Sequence, residues 1–198
     1  MAYSIDALTA DCYPGTAILI NKLDIRNDAD LSAAEAEIVS AKAALWMPAP
    51  SMDSFDFSHY KVIHTFLFGD LYDWAGQVRT VNLSKKGTRF CPAEEIESRA
   101  VLIFTRIRGL NFLRGLPHEA FVDEFMDLYC ATNELHPFRE GNGRTQRVFL
   151  SQLAHDAGYE LRLSAVDTDL LMLGTIQAAQ GVTDLLRQIL TEAINKEP

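Results

Sequence analysis

Apolar residues recur at helical spacing along most of the chain, and this pattern predicts an all-α fold. Leu150, Leu153 and Ala154, for example, fall at i, i+3 and i+4, as on a helix that buries one face. The first predicted helix opens with Ser32–Glu35 (SAAE), the pattern of a capping box. The predicted helices cover residues 31–46, 57–74, 95–110, 117–134, 144–157, 168–180 and 183–195.

One segment is short and rich in β-branched residues, and it predicts a hairpin. Residues 78–84 and 88–92 form its two strands, and the residues between them, 85–87 (KKG), make a three-residue connection. Glycine is the third of these residues, where such a connection needs a positive φ. A two-stranded hairpin alone is only marginally stable, so it must either pack on the helices or serve as an arm.

Composition and charge narrow the possible classes of function. The 198 residues, 48% of them hydrophobic, suffice for one domain that needs no disulfide or metal to fold. A net charge of −9 argues against binding of nucleic acid or of an anionic membrane by the bulk surface. We see no signal-peptide pattern and no apolar stretch of the ~18–20 residues that a membrane span needs, so we expect a cytoplasmic protein. The three cysteines form no CxxC pair, which gives a zinc site no support.

The chemically informative segment is residues 136–147, HPFREGNGRTQR. Pro137 ends the preceding helix, Gly141–Gly143 form a turn, and a periodic helix starts immediately afterwards. This helix–loop–helix arrangement directs backbone N–H groups to a helix N-terminus, which is an anion-binding site. Arg144 and Arg147 are three residues apart, so they share one face of that helix and suit a polyphosphate.

Two further residues of the segment suit catalysis. Glu140 is placed to hold Mg²⁺, which usually binds through one or two carboxylates and substrate phosphates. His136, with an ordinary pKa near 6.5, is a natural general base at neutral pH. Residues 139–147 also hold three arginines and one glutamate, a local charge of +2 in an acidic chain.

Each of these residues alone has a purely structural explanation. A lone histidine is usually a structural residue, a lone glutamate or arginine pair is usually solvated surface, and Phe138 is expected to be a core anchor. The conjunction is different, because eight specified positions in twelve arise by chance at roughly 10⁻¹⁰ per start site. Competing motifs fail: the chain has no GxxxxGK[ST], no third glycine of a dinucleotide-binding fingerprint and no HExxH.

The segment reproduces in full the motif HPFx[D/E]GNGRxxR, and the chain therefore resembles a Fic-domain protein. Residues 63–79 are similar to the family pattern IHxxLFxDxYDWAGxxR, and residues 80–92 resemble the family's flap, a hairpin beside the active site. The resemblance covers about residues 15–190. It implies that residues 1–198 form a single Fic-type helical domain, all-α with a small β-hairpin flap.

The resemblance implies protein adenylyltransferase activity, the transfer of AMP from ATP to a hydroxyl side chain of a target protein. His136 would deprotonate that hydroxyl, and Glu140 would bind Mg²⁺ bridging the α- and β-phosphates. Family members with a lysine at the second glycine of GNGR phosphorylate their targets instead. Gly143 stands at this position here, which favours AMP transfer.

The remaining motif residues would bind the phosphates of ATP. By the resemblance, the backbone N–H groups of Gly141, Asn142 and Gly143 stabilise the α-phosphate, assisted by the Asn142 side chain. Arg144 and Arg147 hold the β- and γ-phosphates.

The resemblance also suggests how a target and the adenine base would bind. The flap would hold the target segment as an added strand, with Lys86, Thr88 and Phe90 as contacts. The adenine pocket is expected near Gln177 and Gln180.

Regulation is suggested by a missing motif. Fic proteins are commonly silenced by a helix bearing [S/T]xxxE[G/N], whose glutamate pairs with the second motif arginine, here Arg147. The only glutamate followed by Gly or Asn is Glu140, and the residue four positions earlier is His136. The chain therefore resembles the short Fic toxins that are inhibited by a separate small antitoxin carrying this motif. Targets in that bacterial subgroup include the B subunits of DNA gyrase and topoisomerase IV.

Two alternatives stay open. The chain could transfer another phosphate-containing group, such as UMP, phosphocholine or phosphate. It could also be a non-enzymatic interaction module, although the intact motif argues against this.

Overall fold

The computed structural model describes residues 4–5, 11–46, 55–85 and 87–196. This part of the chain is mostly helical, which confirms the predicted all-α class. The helices are α1 (Asp28–Trp46), α2 (Phe57–Phe68), α3 (Ile96–Gly109), α4 (His118–Leu135), α5 (Asn142–Asp156), α6 (Thr168–Ala179) and α7 (Asp184–Ala193). The strands are β1 (Ser4–Ile5), β2 (Leu83–Lys85), β3 (Thr88–Arg89), β4 (Tyr159–Leu161) and β5 (Ile194–Lys196).

Helix α5 lies in the core and packs against both α2 and α4. Its apolar side chains are enclosed: Phe149, Leu150 and Leu153 have no exposed surface. The turn that precedes α5 is therefore held against the core by the helix that follows it. No helix in the described ranges is both long and apolar enough to cross a membrane.

The predicted capping box at the start of α1 is wrong. The helix begins at Asp28, and the Asn27 side chain caps it by accepting hydrogen bonds from the backbone N–H groups of Ala29 (2.9 Å) and Asp30 (3.1 Å). Glu35 lies two turns inside the helix and is buried. The Glu35 side chain therefore faces the core and does not act as a solvent-exposed cap of the helix.

Helix α2 ends earlier than predicted. It stops at Phe68, and the chain then turns through residues 69–76 before it reaches the hairpin. Within this segment Leu71 donates a backbone hydrogen bond to Phe68, and Tyr72 donates to the same carbonyl. The apolar spacing of the segment reflects burial of Leu71 and Tyr72 in a turn that follows the helix.

The predicted hairpin is present but shorter, and it packs on the helices. Strands β1, β2 and β3 form an antiparallel sheet in that order, with Ile5 opposite Leu83 and Ser84 opposite Arg89. Leu83 is buried, and the backbone N–H of Cys91 donates to the carbonyl of Glu134 at the end of α4 (2.9 Å). The hairpin is thus fixed beside the loop that follows α4.

A second small sheet was not predicted. Strand β4 pairs with β5 in antiparallel register, with Glu160 opposite Asn195. The helix predicted over residues 183–195 consequently ends at Ala193, and the chain continues as a strand.

Candidate active site

The motif segment forms the junction between α4 and α5. His136 caps the C-terminus of α4 in a left-handed conformation (φ 41°), and Gly141 precedes α5 with φ 80°. A left-handed conformation is rare for a residue with a side chain and is often found at functional sites. The backbone thus turns twice within six residues and brings His136 near the first turn of α5.

The position of its proton makes the His136 ring a potential base. Its Nδ1 lies 3.1 Å from the carbonyl oxygen of Asn133, which can only accept a hydrogen bond. The proton of the neutral ring therefore resides on Nδ1, and Nε2 carries the lone pair. Phe90 of the hairpin stacks on the ring at 3.6 Å between centroids. Burial, together with the nearby charges of Arg79 and Lys85, lowers the pKa of His136 to about 3.

The Asn142 side chain closes the loop on itself. Its Oδ1 accepts from the backbone N–H of Phe138 (2.8 Å), and its Nδ2 donates to the carbonyl of the same residue (2.7 Å). Both polar atoms of the Asn142 side chain thus hold the loop, and its assistance at the α-phosphate stays a prediction. Phe138 is fully buried, as expected of a core anchor.

His64 of α2 contacts the backbone of the loop between α4 and α5. Its Nδ1 accepts from the backbone N–H of Gly76 (2.8 Å), so its Nε2 carries the proton and donates to the carbonyl of Glu140 (3.0 Å). The ring stacks on Phe138 at 3.8 Å. Burial lowers the pKa of His64 to about 4. A neutral histidine therefore fixes the backbone of the loop at physiological pH.

Arg79 joins the loop to the hairpin. Its Nε donates to the carbonyl of His136 (2.8 Å), and its two Nη atoms donate to the carbonyls of Val81 and Cys91 (2.6 Å each). Its backbone N–H donates to Pro137 (2.9 Å). The sequence placed Arg79 in the family pattern without a role. Its guanidinium fork, which is buried, sets the hairpin relative to His136.

Glu140 carries the carboxylate of the loop between α4 and α5. Its Oε1 accepts from the N–H of Gly141 (2.8 Å), so this N–H is already engaged by a carboxylate. Burial raises the pKa of Glu140, and the nearby Glu35 carboxylate raises it further. Groups of three or more metal-ligating His, Cys, Asp or Glu residues do not occur in the described part of the chain. Glu140 supplies a single carboxylate, and Mg²⁺ usually binds through one or two carboxylates with substrate phosphates as the other ligands.

The three arginines of the motif segment face different surroundings. Arg144 pairs with Glu35 of α1 and lies 3.4 Å from Glu140. Arg147 is exposed and lines the cavity beside His136. Arg139 is buried, and its Nε lies 3.4 Å from a carboxylate oxygen of Asp11. The local charge of +2 in the sequence is therefore not one patch.

A cavity of about 220 Å³ opens beside His136. Gly143, Gln146 and Arg147 of α5 form one side, and the hairpin contributes Thr88 and Phe90. The α6 side is lined by Thr168, Leu171, Met172, Thr175 and Ile176. This apolar wall, next to an arginine and a helix N-terminus, combines surfaces for a base and for phosphates.

Only some of the residues predicted for the adenine pocket and the flap line the cavity beside His136. Gln180 lines a second cavity, which the hairpin also lines, and Gln177 lines neither of the two cavities. Thr88 and Phe90 line both cavities. Lys86 lies outside the described residues. The apolar residues of this wall begin at Leu171, about two turns before the predicted adenine position.

Sequence reasoning missed Glu35 and misassigned it as a helix cap. One signal could have found it: Leu31, Glu35 and Val39 are spaced four apart and form the buried stripe of α1. A carboxylate on an apolar stripe needs a buried partner.

The sequence model of the Fic/DOC family matches residues 54–154. A relative from Salmonella typhimurium, "Probable protein adenylyltransferase Fic", is 35% identical over 93% of this chain and 91% of its own. "Probable protein adenylyltransferase y4lH" from Sinorhizobium fredii is 36% identical over 86% of this chain and 88% of its own.

Solved structures share the fold. The BepC protein of Bartonella tribocorum, crystallised with bound AMPPNP, is similar with a TM-score of 0.91 and 25% sequence identity. The similarity covers 95% of this chain and 97% of that one.

Proposed function

The chain belongs to the Fic/DOC family, and from this premise we propose that it transfers AMP from ATP to a hydroxyl side chain of a target protein. Two relatives are named as adenylyltransferases, and a structural relative binds an ATP analogue. The observation that carries the proposal is the geometry of His136: its Nδ1 is held by the carbonyl of Asn133, and the residue lines a cavity also lined by Gly143 and Arg147.

In the proposed reaction the target hydroxyl oxygen attacks the α-phosphorus. A bond forms between these two atoms, the bond to the β-phosphate oxygen breaks, and pyrophosphate leaves. The hydroxyl proton passes to Nε2 of His136. Because burial keeps this ring neutral at pH 7, it does not have to lose a proton before it can act as a base. The negative charge of a bound triphosphate favours the imidazolium that forms.

The chain's other residues would bind and orient the phosphates. The first N–H groups of α5, at Asn142 and Gly143, have no acceptor within the helix and suit the α-phosphate. Arg144 and Arg147 supply charge for the β- and γ-phosphates. Glu140 would hold Mg²⁺ together with these phosphates, and the ion supplies charge neutralisation there.

The target segment would bind along the hairpin. Strand order β1-β2-β3 leaves β3 at the edge of the sheet, so an extended segment can add beside Thr88 and Arg89. Phe90 follows directly and stacks on His136, so a bound segment lies close to the base.

The proposal is tested with radiolabelled ATP, Mg²⁺ and bacterial lysate. We expect one or a few labelled proteins with wild-type chain, and a loss of about 10²–10⁴-fold with His136→Ala. Equal thermal unfolding of both proteins shows that the loss is chemical. Mass spectrometry of the labelled target distinguishes AMP from UMP, phosphocholine or phosphate. Equal labelling by the variant contradicts the role of His136, and no labelling by either protein supports an interaction module.

We further propose that the chain acts as a cytoplasmic toxin held inactive by a small antitoxin. The support is the lack of an [S/T]xxxE[G/N] motif in the sequence and the exposure of Arg147 at the cavity, where a glutamate of another protein can reach it. The B subunits of DNA gyrase and topoisomerase IV are the first targets to test as purified proteins. Their failure to become labelled, while lysate proteins are labelled, removes them as targets and leaves AMP transfer intact.

A further inference from the structure

Glu35 lies outside the sequence motif, yet it contacts Arg144, the arginine that follows the GNG turn. Its side chain is buried, and both of its carboxylate oxygens have partners. Oε2 accepts from the hydroxyl of Tyr72 (2.6 Å), and Oε1 pairs with Nη2 of Arg144. Tyr72 is itself buried and stacks on Trp74 at 4.4 Å, so the carboxylate is held by a rigid neighbour.

Arg144 lies between two carboxylates and an aromatic face. The guanidinium pairs directly with Glu35, lies 3.4 Å from Glu140 and stands over the Phe68 ring at 4.8 Å. Both carboxylate contacts use Nη2. A guanidinium has five N–H donors, so donors beyond Nη2 exist for phosphate.

The two carboxylates compete for the same nitrogen. Glu140 is four residues before Arg144 on the chain, a spacing that favours an ion pair between them. Without Glu35, Glu140 is the nearest carboxylate that can compensate the positive charge of the half-buried Arg144 side chain. Arg144 then turns toward Glu140, and the carboxylate that suits Mg²⁺ is partly neutralised.

We propose that Glu35, held by Tyr72, is a positioning residue that keeps Arg144 directed at the β- and γ-phosphates of ATP and away from Glu140. This rests on the proposed function, because it concerns the same nucleotide site. Glu35 touches no reacting atom in this scheme; it acts through Arg144.

Nucleotide binding tests the proposal independently of turnover. The variants are Glu35→Gln and Tyr72→Phe, with Glu37→Gln as a matched control at an exposed position of the same helix. Binding of AMPPNP and of AMP is measured by calorimetry, with and without Mg²⁺. AMP lacks the β- and γ-phosphates, so Arg144 contributes little to its affinity.

We expect Glu35→Gln to weaken AMPPNP binding about tenfold or more, the range for a lost charge-assisted contact, with AMP affinity unchanged. Tyr72→Phe, which keeps the carboxylate, gives a smaller loss in the same direction, and Glu37→Gln gives none. If Glu35→Gln does not fold, Tyr72→Phe carries the test. The loss is expected to be larger with Mg²⁺ than without it.

Two results overturn the inference. An unchanged ratio of AMPPNP to AMP affinity in folded variants shows that Glu35 does not position Arg144. Tighter AMPPNP binding in Glu35→Gln shows that Glu35 competes with phosphate instead. Failure of the proposed function looks different, because the wild-type chain itself then shows no labelling of lysate proteins.

Discussion

At the residue scale, burial keeps the His136 and His64 side chains neutral. His136 and His64 are both buried, and each has one ring nitrogen whose protonation is fixed by a backbone group. Their pKa values are lowered to about 3 and about 4. The neutral state serves a different purpose in each, since it leaves a lone pair at His136 and fixes the loop backbone at His64.

These lowered pKa values predict acid sensitivity. Below the ordinary pKa of about 6.5 the unfolded chain binds protons that the native chain does not, so the free energy of unfolding falls as pH falls toward 4. Each histidine contributes at most about 1.4 kcal/mol per pH unit. Urea unfolding between pH 7.5 and 5 measures the slope.

His136→Ala is the control for this slope. The variant has one buried histidine fewer, so its free energy of unfolding should fall less steeply between pH 6 and 5. Glu140, whose pKa is raised, acts in the opposite direction but equally in both proteins. Identical slopes would contradict the buried, neutral state of His136.

At the scale of elements, the loop between α4 and α5 depends on close backbone packing. A Cβ at Gly141 would lie 2.3 Å from the Phe68 ring, and its φ of 80° is unfavourable for a side chain. At Gly143 a Cβ would meet no atom within 4 Å, and the residue lies inside α5. The two glycines of the GNG turn therefore have different roles.

Gly141→Ala and Gly143→Ala should change stability in opposite directions. The first adds about 1–2 kcal/mol of backbone strain and about 1–3 kcal/mol of overpacking, so it destabilises the fold. The second gains helix propensity and stabilises it by up to about 1 kcal/mol. Urea unfolding of both variants measures the difference. Equal effects would mean that Phe68 does not limit the space at Gly141.

Residues 63–79, which match the family pattern outside the motif, contact the loop between α4 and α5. His64 binds the loop carbonyl of Glu140, Phe68 packs on Gly141, and Arg79 binds the carbonyl of His136. The similarity of residues 63–79 to the family pattern indicated membership only. Their contacts show that His64, Phe68 and Arg79 hold the backbone of the loop in place.

At the scale of the whole molecule, the strand that precedes α6 pairs with the strand that follows α7. Strand β5 pairs with β4, and Ile194 is 1% exposed. The Ile194 carbonyl also lies 2.9 Å from Nε2 of His118 at the start of α4. This short strand therefore ties α7 to the helix that carries His136 at its other end.

Ile194→Ala should lower the free energy of unfolding by about 2–5 kcal/mol, because it leaves a cavity in the core. Asn195→Ala, one residue further along the same strand and exposed, should stay within about 0.5 kcal/mol of wild type. Thermal unfolding of both variants compares them. Equal midpoints would show that the strand adds little to the core.

The sequence by itself determined the helical class, the approximate helices and the motif of residues 136–147. These depend on spacing along the chain, because helix periodicity and tight turns are set by neighbours within a few residues. The tertiary structure alone decided which distant side chains complete the site. Glu35 is 109 residues from Arg144, His64 is 76 from Glu140, and Arg79 is 57 from His136. Such contacts follow from how the helices pack together, and local spacing does not encode that packing.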